Sequence, residues 1–247
     1  MNTHERFNIY LQIHKGVRAA LATLLLQVGR TDPHDEAEIA ETLTAVRDLL
    51  TFLREHLQHE DDWIHPALEA RRPGSSHGTR DDHAHHAEAL AALVSTLRAV
   101  ERCPGGQRGT GLMRLYRQLA LFVAENLEHM HVEETDNHAA LVASYSDAEL
   151  HELDRRLVAS IPPAALMTAL RWMLPNMNAP DRAAMLGAMR AAAPAEVVDA
   201  VLAMIRPHLT VRDRAKLGAA IGPMPSPLVA AAAQMPRPAW AAEALAA

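Results

Sequence analysis

Two segments of this chain repeat one pattern: an apolar stripe at helical spacing runs, in phase, into a histidine and then a glutamate four residues on. In the first, Ile39, Leu43, Val46, Leu49 and Leu53 lead to His56 and Glu60; in the second, Leu112, Leu115, Leu119 and Phe122 lead through Asn126 to His129 and Glu133. Residues three and four apart share a helix face, so each H-x-x-x-E pair spans about one turn, roughly 6 Å, of the face that buries the leucines. A buried imidazole or carboxylate must be paired or ligated. The pattern calls for long helices packed around a polar, metal-binding layer.

Two further stripes complete the set. The first helix should run from about His4 to Val28, with Phe7, Tyr10, His14, Val17, Leu21 and Leu24 on its inner face. The third should start near Asp81 and Asp82 and carry His83, His86, Leu90, Leu93, Leu97 and Val100. Apolar residues follow His14 at +3, +7, +10 and +11; after His83 the same offsets hold His86, Leu90, Leu93 and Val94, which makes His83 the counterpart of His14. Gly29 to Pro33, Arg71 to Arg80 and Cys103 to Gly111 read as the connections, and Pro66 should kink or end the second helix. The fold class is all-α, beginning with an up-down-up-down four-helix bundle. Counted from the connections, His83 and His129 lie at matching levels, about 27 and 26 Å along their helices. For His14 and His56 the sums are about 21 and 31 Å, so the first connection should be looser or the second helix start later.

From Ser146 the character changes to Ala, Met and Pro, with a period of 32 residues. Leu170, Met173, Pro175, Met177, Asp181, Arg182 and Met185 recur as Leu202, Ile205, Pro207, Leu209, Asp213, Arg214 and Leu217. Ser146 with Glu149, Asn178 with Asp181, and Thr210 with Asp213 have the form of N-caps with an acid at the third helical position. Residues 1–144 are thus expected as the bundle, 145–222 as two helical hairpins and the start of a third, and 223–247 as a Pro/Ala-rich tail. Such a repeat buries its apolar face only against a neighbour, which suits self-association or a protein partner.

Thirteen of the 15 histidines lie at or before His138. Of those outside the stripes, His59, His65, His85, His131 and His138 read as surface or supporting positions. A formal charge of -6 argues against a nucleic-acid or anionic-membrane partner, and no apolar run reaches membrane-spanning length. The polar start Met1 to Arg6 and a single cysteine, Cys103, point to a cytoplasmic protein without a disulfide framework or a thiolate zinc site.

Imidazole with carboxylate suits iron, zinc, copper or manganese. His14, His56, His83 and His129 with Glu60 and Glu133 exceed the needs of one tetrahedral zinc, and two carboxylates can each bridge two ions. A dinuclear iron site follows most simply, bridged by Glu60 and Glu133, with His86 as a possible fifth histidine. A ferritin-like site needs E-x-x-H on two helices; only Glu128-x-x-His131 fits, and it is out of phase.

The ordered set of a first-helix His, H-x-x-x-E, a third-helix His and H-x-x-x-E resembles the hemerythrin-like HHE cation-binding family over about Met1 to Ser144. The resemblance implies a non-haem di-iron centre, oxo- or hydroxo-bridged, that binds O2 or another small diatomic or peroxide ligand, or senses oxygen, iron or reactive oxygen and nitrogen species. It supports His14, His56, Glu60, His83, His129 and Glu133 as ligands. Two features depart from hemerythrins proper: His83 and His86 are three rather than four apart, and Glu133 stands where an aspartate is usual. The alternatives are a di-iron enzyme that decomposes peroxide or reduces O2, and a single-zinc interaction protein. Tyr10, one turn before His14, is placed where a phenol could donate a hydrogen bond near the metals.

Overall fold

The computed structural model describes residues 6–103 and 105–222. Every regular element among them is helical. The chain divides into two compact units, residues 1–161 and 162–247.

In the first unit, α1 (Leu11–Arg30), α2 (Glu36–His59), α4 (His77–Arg102) and α5 (Arg108–Val132) are the long elements. α1 packs on α2 and α5, and α4 packs on the same two, so the four close a ring. The stripes face inward as the sequence requires: Val17, Leu21, Val46, Leu53, Leu93, Leu97, Leu115 and Leu119 are all buried. Each such side chain contributes about 1.5–3 kcal/mol. Packing is close where side chains are absent, since a Cβ on Gly29 would come within 2.9 Å of the Tyr116 ring. Asp35 caps α2 by accepting from the Ala37 and Glu38 amides.

Several boundaries differ from expectation. Among the described residues α1 begins at Leu11, with Tyr10 at its N-cap, and not near His4, which lies outside them. The segment before it is tied down: Arg6 pairs with Asp147 at 2.8 Å and donates to the Val142 and Tyr145 carbonyls. α4 starts at His77, a turn earlier than Asp81, because the link before it is tight. There Gly74 takes φ +87° and Glu69 accepts from the amides of Gly74 and Ser76.

Pro66 neither ends nor interrupts its segment. A π-helical turn, Glu60–Ile64, carries α2 straight into α3 (His65–Arg71), and Pro66 falls in the first turn of α3. The wider i→i+5 pattern, seen in the His65 amide donating to the Glu60 carbonyl, leaves room for a residue without an N–H. A second π turn, Glu133–Asn137, joins α5 to α6 (His138–Ser144) in the same way.

The boundary expected at 144/145 lies at 161/162 instead. α7 (Asp147–Ser160) has the capping box of Ser146 and Glu149. Its Leu150 is buried in a cluster with Ile9, Tyr10, Ile64, Leu68 and Leu141, and its Leu153 and Leu157 pack on the same cluster. An apolar face shared with the bundle, rather than the cap, decides where the helix belongs.

The second unit holds α8 (Pro163–Asn176), α9 (Ala179–Ala192), α10 (Ala195–Ile205) and α11 (Val211–Ile221). α8 and α10 begin 32 residues apart, as do α9 and α11, and the members of each pair pack on each other. Asn178 and Thr210 cap through the Asp181 and Asp213 amides. Leu170, Leu174, Leu186, Val201, Leu202, Ile205 and Leu217 form the core. Arg182 is buried within it, donating to the Leu174, Pro175 and Met177 carbonyls and pairing with Asp213 at 3.2 Å. The tail expected from 223 lies outside the described residues. Among these, no helix is long and apolar enough to cross a membrane.

Candidate metal centre

The ring of helices brings six polar side chains into one buried layer. α1 supplies His14, α2 supplies His56, α4 His83 and α5 His129, and the first residues of the two π turns are Glu60 and Glu133. The Glu60 carboxylate lies between two sets of imidazoles. Its Oε1 is 3.4 Å from His14 Nε2 and 3.6 Å from His56 Nε2, and its Oε2 is 3.6 Å from His83 Nε2. Glu133 repeats the arrangement, with Oε2 3.4 Å from His14 Nε2 and 3.3 Å from His129 Nε2. The Nε2 atoms of His83 and His129 are 3.1 Å apart.

Two donor groups sharing Glu60 result: His14, His56 and Glu60 on one side, and Glu60, His83, His129 and Glu133 on the other. Ligand atoms about 2.0–2.2 Å from a common ion lie roughly 3.0–3.5 Å from one another, which is close to these separations. Glu60 Oε2 and both Glu133 oxygens are buried without a hydrogen-bond partner. Buried carboxylate oxygens left in this way are costly unless a cation takes them. The residues present fit a pair of metal ions.

The outer ring nitrogens are held by acids. Glu134 accepts from His14 Nδ1 at 3.0 Å and is gripped by Arg18 at 2.5 Å. Asp61 accepts from His83 Nδ1 at 2.9 Å, and Asp82 from His129 Nδ1 at 3.2 Å. In each case the acid is a sequence neighbour of one site residue and holds an imidazole on an adjacent element. Such carboxylates fix the tautomer that leaves Nε2 free to ligate and make that nitrogen more basic. The sequence reading passed over all three, although an acid beside Glu60, His83 and Glu133 was a visible signal.

Electrostatics reflect the crowding. Burial and the Glu133 charge push the Glu60 carboxyl up to about 8. Burial would raise Glu133 too, but the His14 imidazole 3.4 Å away and the charge of His129 hold it at about 2. Burial lowers His56, His83 and His129, whereas for His14 the surrounding Glu133, Glu134 and Glu60 outweigh burial and raise it.

His86 is buried on the same face of α4 but enters neither donor group. Its ring meets His129 edge-on at 4.9 Å, and its Nδ1 has no hydrogen-bond partner. His65 and His138, expected at surface or supporting positions, are both buried. His65 donates or accepts between Asp61 at 2.9 Å and Thr79 at 3.3 Å, and stacks 4.7 Å from His83. His85 and His131 are exposed, as expected.

Fold and site together define a helical metalloprotein with a histidine- and carboxylate-lined centre. The sequence model of the hemerythrin HHE cation-binding domain matches residues 7–141, which is 135 of the 247 residues. The chain belongs to that family. No curated protein and no solved structure matches the chain.

Proposed function

We propose that the chain is a non-haem di-iron protein that binds O2 or senses oxygen, iron or reactive oxygen and nitrogen species. In this reading residues 1–144 act as an up-down-up-down bundle in the cytoplasm, with His14, His56, His83 and His129 as terminal ligands. The observation that carries it is the placement of Glu60, with one oxygen toward His14 and His56 and the other toward His83, and of Glu133, whose Oε2 lies against both His14 and His129. One zinc would leave part of this donor set unused. When bound, an iron pair supplies reversible one- and two-electron chemistry toward oxygen.

The chain's own residues do the rest. Glu60 and Glu133 would hold the two ions at a fixed spacing. Glu134, Asp61 and Asp82 orient the imidazoles, and Phe122 with the leucines of α4 and α5 keeps bulk water from the layer. His86 stands as a reserve imidazole beside His129. The 32-residue repeat of the second unit would stack as a short solenoid and present the metal state to a partner or a second copy. Sedimentation of the full chain through iron removal and reoxidation tests that part; an unchanged size and no partner in every state would remove it.

The central test is metal analysis with absorption spectra of the anaerobically reduced and then aerated protein. About two irons per chain and an oxygen-dependent spectrum are expected. One tightly held zinc, with no such spectrum, would overturn the reading.

A further inference from the structure

The layer contains a strong donor that no group among the described residues takes up. Tyr10 is fully buried at the start of α1, and its ring lies 5.5 Å from that of His14. Its hydroxyl makes no well-formed hydrogen bond. His14, its ring neighbour, lies 3.4 Å from an oxygen of each carboxylate, and burial followed by the Glu133 and Glu60 charges raises the phenol's pKa and keeps it protonated. Asn137 is the one polar side chain that eases it, and one of its amide N–H groups donates to Thr79 at 3.1 Å.

A tyrosine that served only as core would be better replaced by phenylalanine, because an unmade buried hydrogen bond costs about 1–3 kcal/mol. The rest of the ring is firmly set. Ile9, Ile64, Leu68 and Leu141 surround it, and the Asn8 side chain accepts from the Tyr10 amide at 3.0 Å. The phenol is thus held firmly beside His14 with its hydroxyl buried, the arrangement of a preorganised donor.

Resting on the di-iron reading, we propose that Tyr10 donates a hydrogen bond to a small oxygen- or nitrogen-atom ligand bound at the centre, in the size class of dioxygen and azide. The donor selects a ligand that carries partial negative charge next to the metals, since a hydrogen bond to a charged acceptor is stronger than one to a neutral one. The phenol keeps its proton throughout; it orients the ligand and offsets its charge.

The test uses the full iron-loaded chain and Tyr10→Phe, with azide as the probe. Iron per chain is measured first and should be equal in both proteins. Azide affinity, read from the absorption spectrum, should then be about tenfold weaker in Tyr10→Phe, the lower end for a hydrogen bond to a charged group. The azide stretching frequency in wild type should shift in D2O, and that shift should vanish in the variant. Metal-free Tyr10→Phe should be at least as stable to heat as metal-free wild type. Equal azide affinity, or no deuterium shift in wild type, overturns the proposal while leaving the metal centre intact. Loss of iron from the variant also overturns it, making Tyr10 a support of the site. Absence of iron from wild type itself overturns the di-iron reading, and this inference with it.

Discussion

Glu60 and Glu133 each open a π-helical turn four residues after a histidine of the centre, so the two halves of the site share a backbone device as well as a motif. Nine residues after each of those histidines comes another, His65 and His138, and both are buried. In an unbroken α-helix nine residues turn a side chain by about 180°, to the opposite face. The extra residue of a π turn reduces this to roughly 80°, which brings both inward.

Because both carboxylates face both donor groups, their removal should differ in kind from removal of a terminal histidine. We expect Glu133→Ala to hold almost no iron. His56→Ala should keep about one ion per chain on the His83 and His129 side, where four donors remain grouped. Iron and protein quantified on the same desalted samples decide it. Two irons retained in Glu133→Ala would show that Glu133 is not a shared ligand.

Glu134 should act through His14. Its carboxylate accepts from His14 Nδ1 and from Arg18, and both outweigh burial in holding it at about 2. Glu134→Ala removes the acceptor and should weaken iron binding by about ten- to a hundredfold. Glu134→Gln keeps an amide oxygen that can still accept, so its loss should be several-fold smaller. Competition against a chelator measures both. Equal effects of the two substitutions would mean that packing, not tautomer control, explains the contact.

In the second unit Arg182 is the residue whose loss should be felt most. Arg182→Met leaves the Leu174, Pro175 and Met177 carbonyls without their guanidinium donors and Asp213 without its partner. A loss of about 2–4 kcal/mol in urea unfolding is expected. Its repeat counterpart Arg214 donates to the Arg206 carbonyl at 3.4 Å and is less buried, so Arg214→Met should cost under about 1 kcal/mol.

The stripes, the four central histidines and the two glutamates could be read from spacing, because an α-helix makes phase a direct statement about burial. The caps at Asn178 and Thr210 were equally legible: they lie 32 residues apart and form the expected bonds. Phase reasoning stopped at Glu60 and Glu133, since a π turn resets the angle without any residue type that announces it. It also misassigned α7, whose Ser146 cap resembles those of the repeat while Leu150 joins the cluster around Tyr10. A cap is local and carries no information about which core a helix joins. The level mismatch was partly real. With α1 ending at Arg30 and α2 starting at Glu36, His14 and His56 lie about 24 and 30 Å from their connection.

The metal-free protein should lose stability as pH rises above neutrality. Glu60 is raised from 4.5 to about 8 in the folded chain, so between those values the native state holds a proton that the unfolded state has released. His14 is raised above 6.5 and acts in the same sense above that pH. The lowered histidines His56, His83 and His129 favour the unfolded state only below about 6.5, where it binds protons that they do not; above that they are silent. Glu133, held at about 2, matters only in acid. From pH 6.5 to 9 every active contribution from the centre therefore falls, by an expected total on the order of a few kcal/mol. Thermal unfolding of chelator-treated protein across that range should show a decreasing midpoint. Glu60→Gln should flatten the decrease and raise the midpoint at pH 8, because an amide cannot be forced to ionise beside Glu133. Bound metal should also remove the slope, since it takes the place of the proton on Glu60. A midpoint that rises with pH in metal-free wild type would mean that the two carboxylates are not paired in a closed layer.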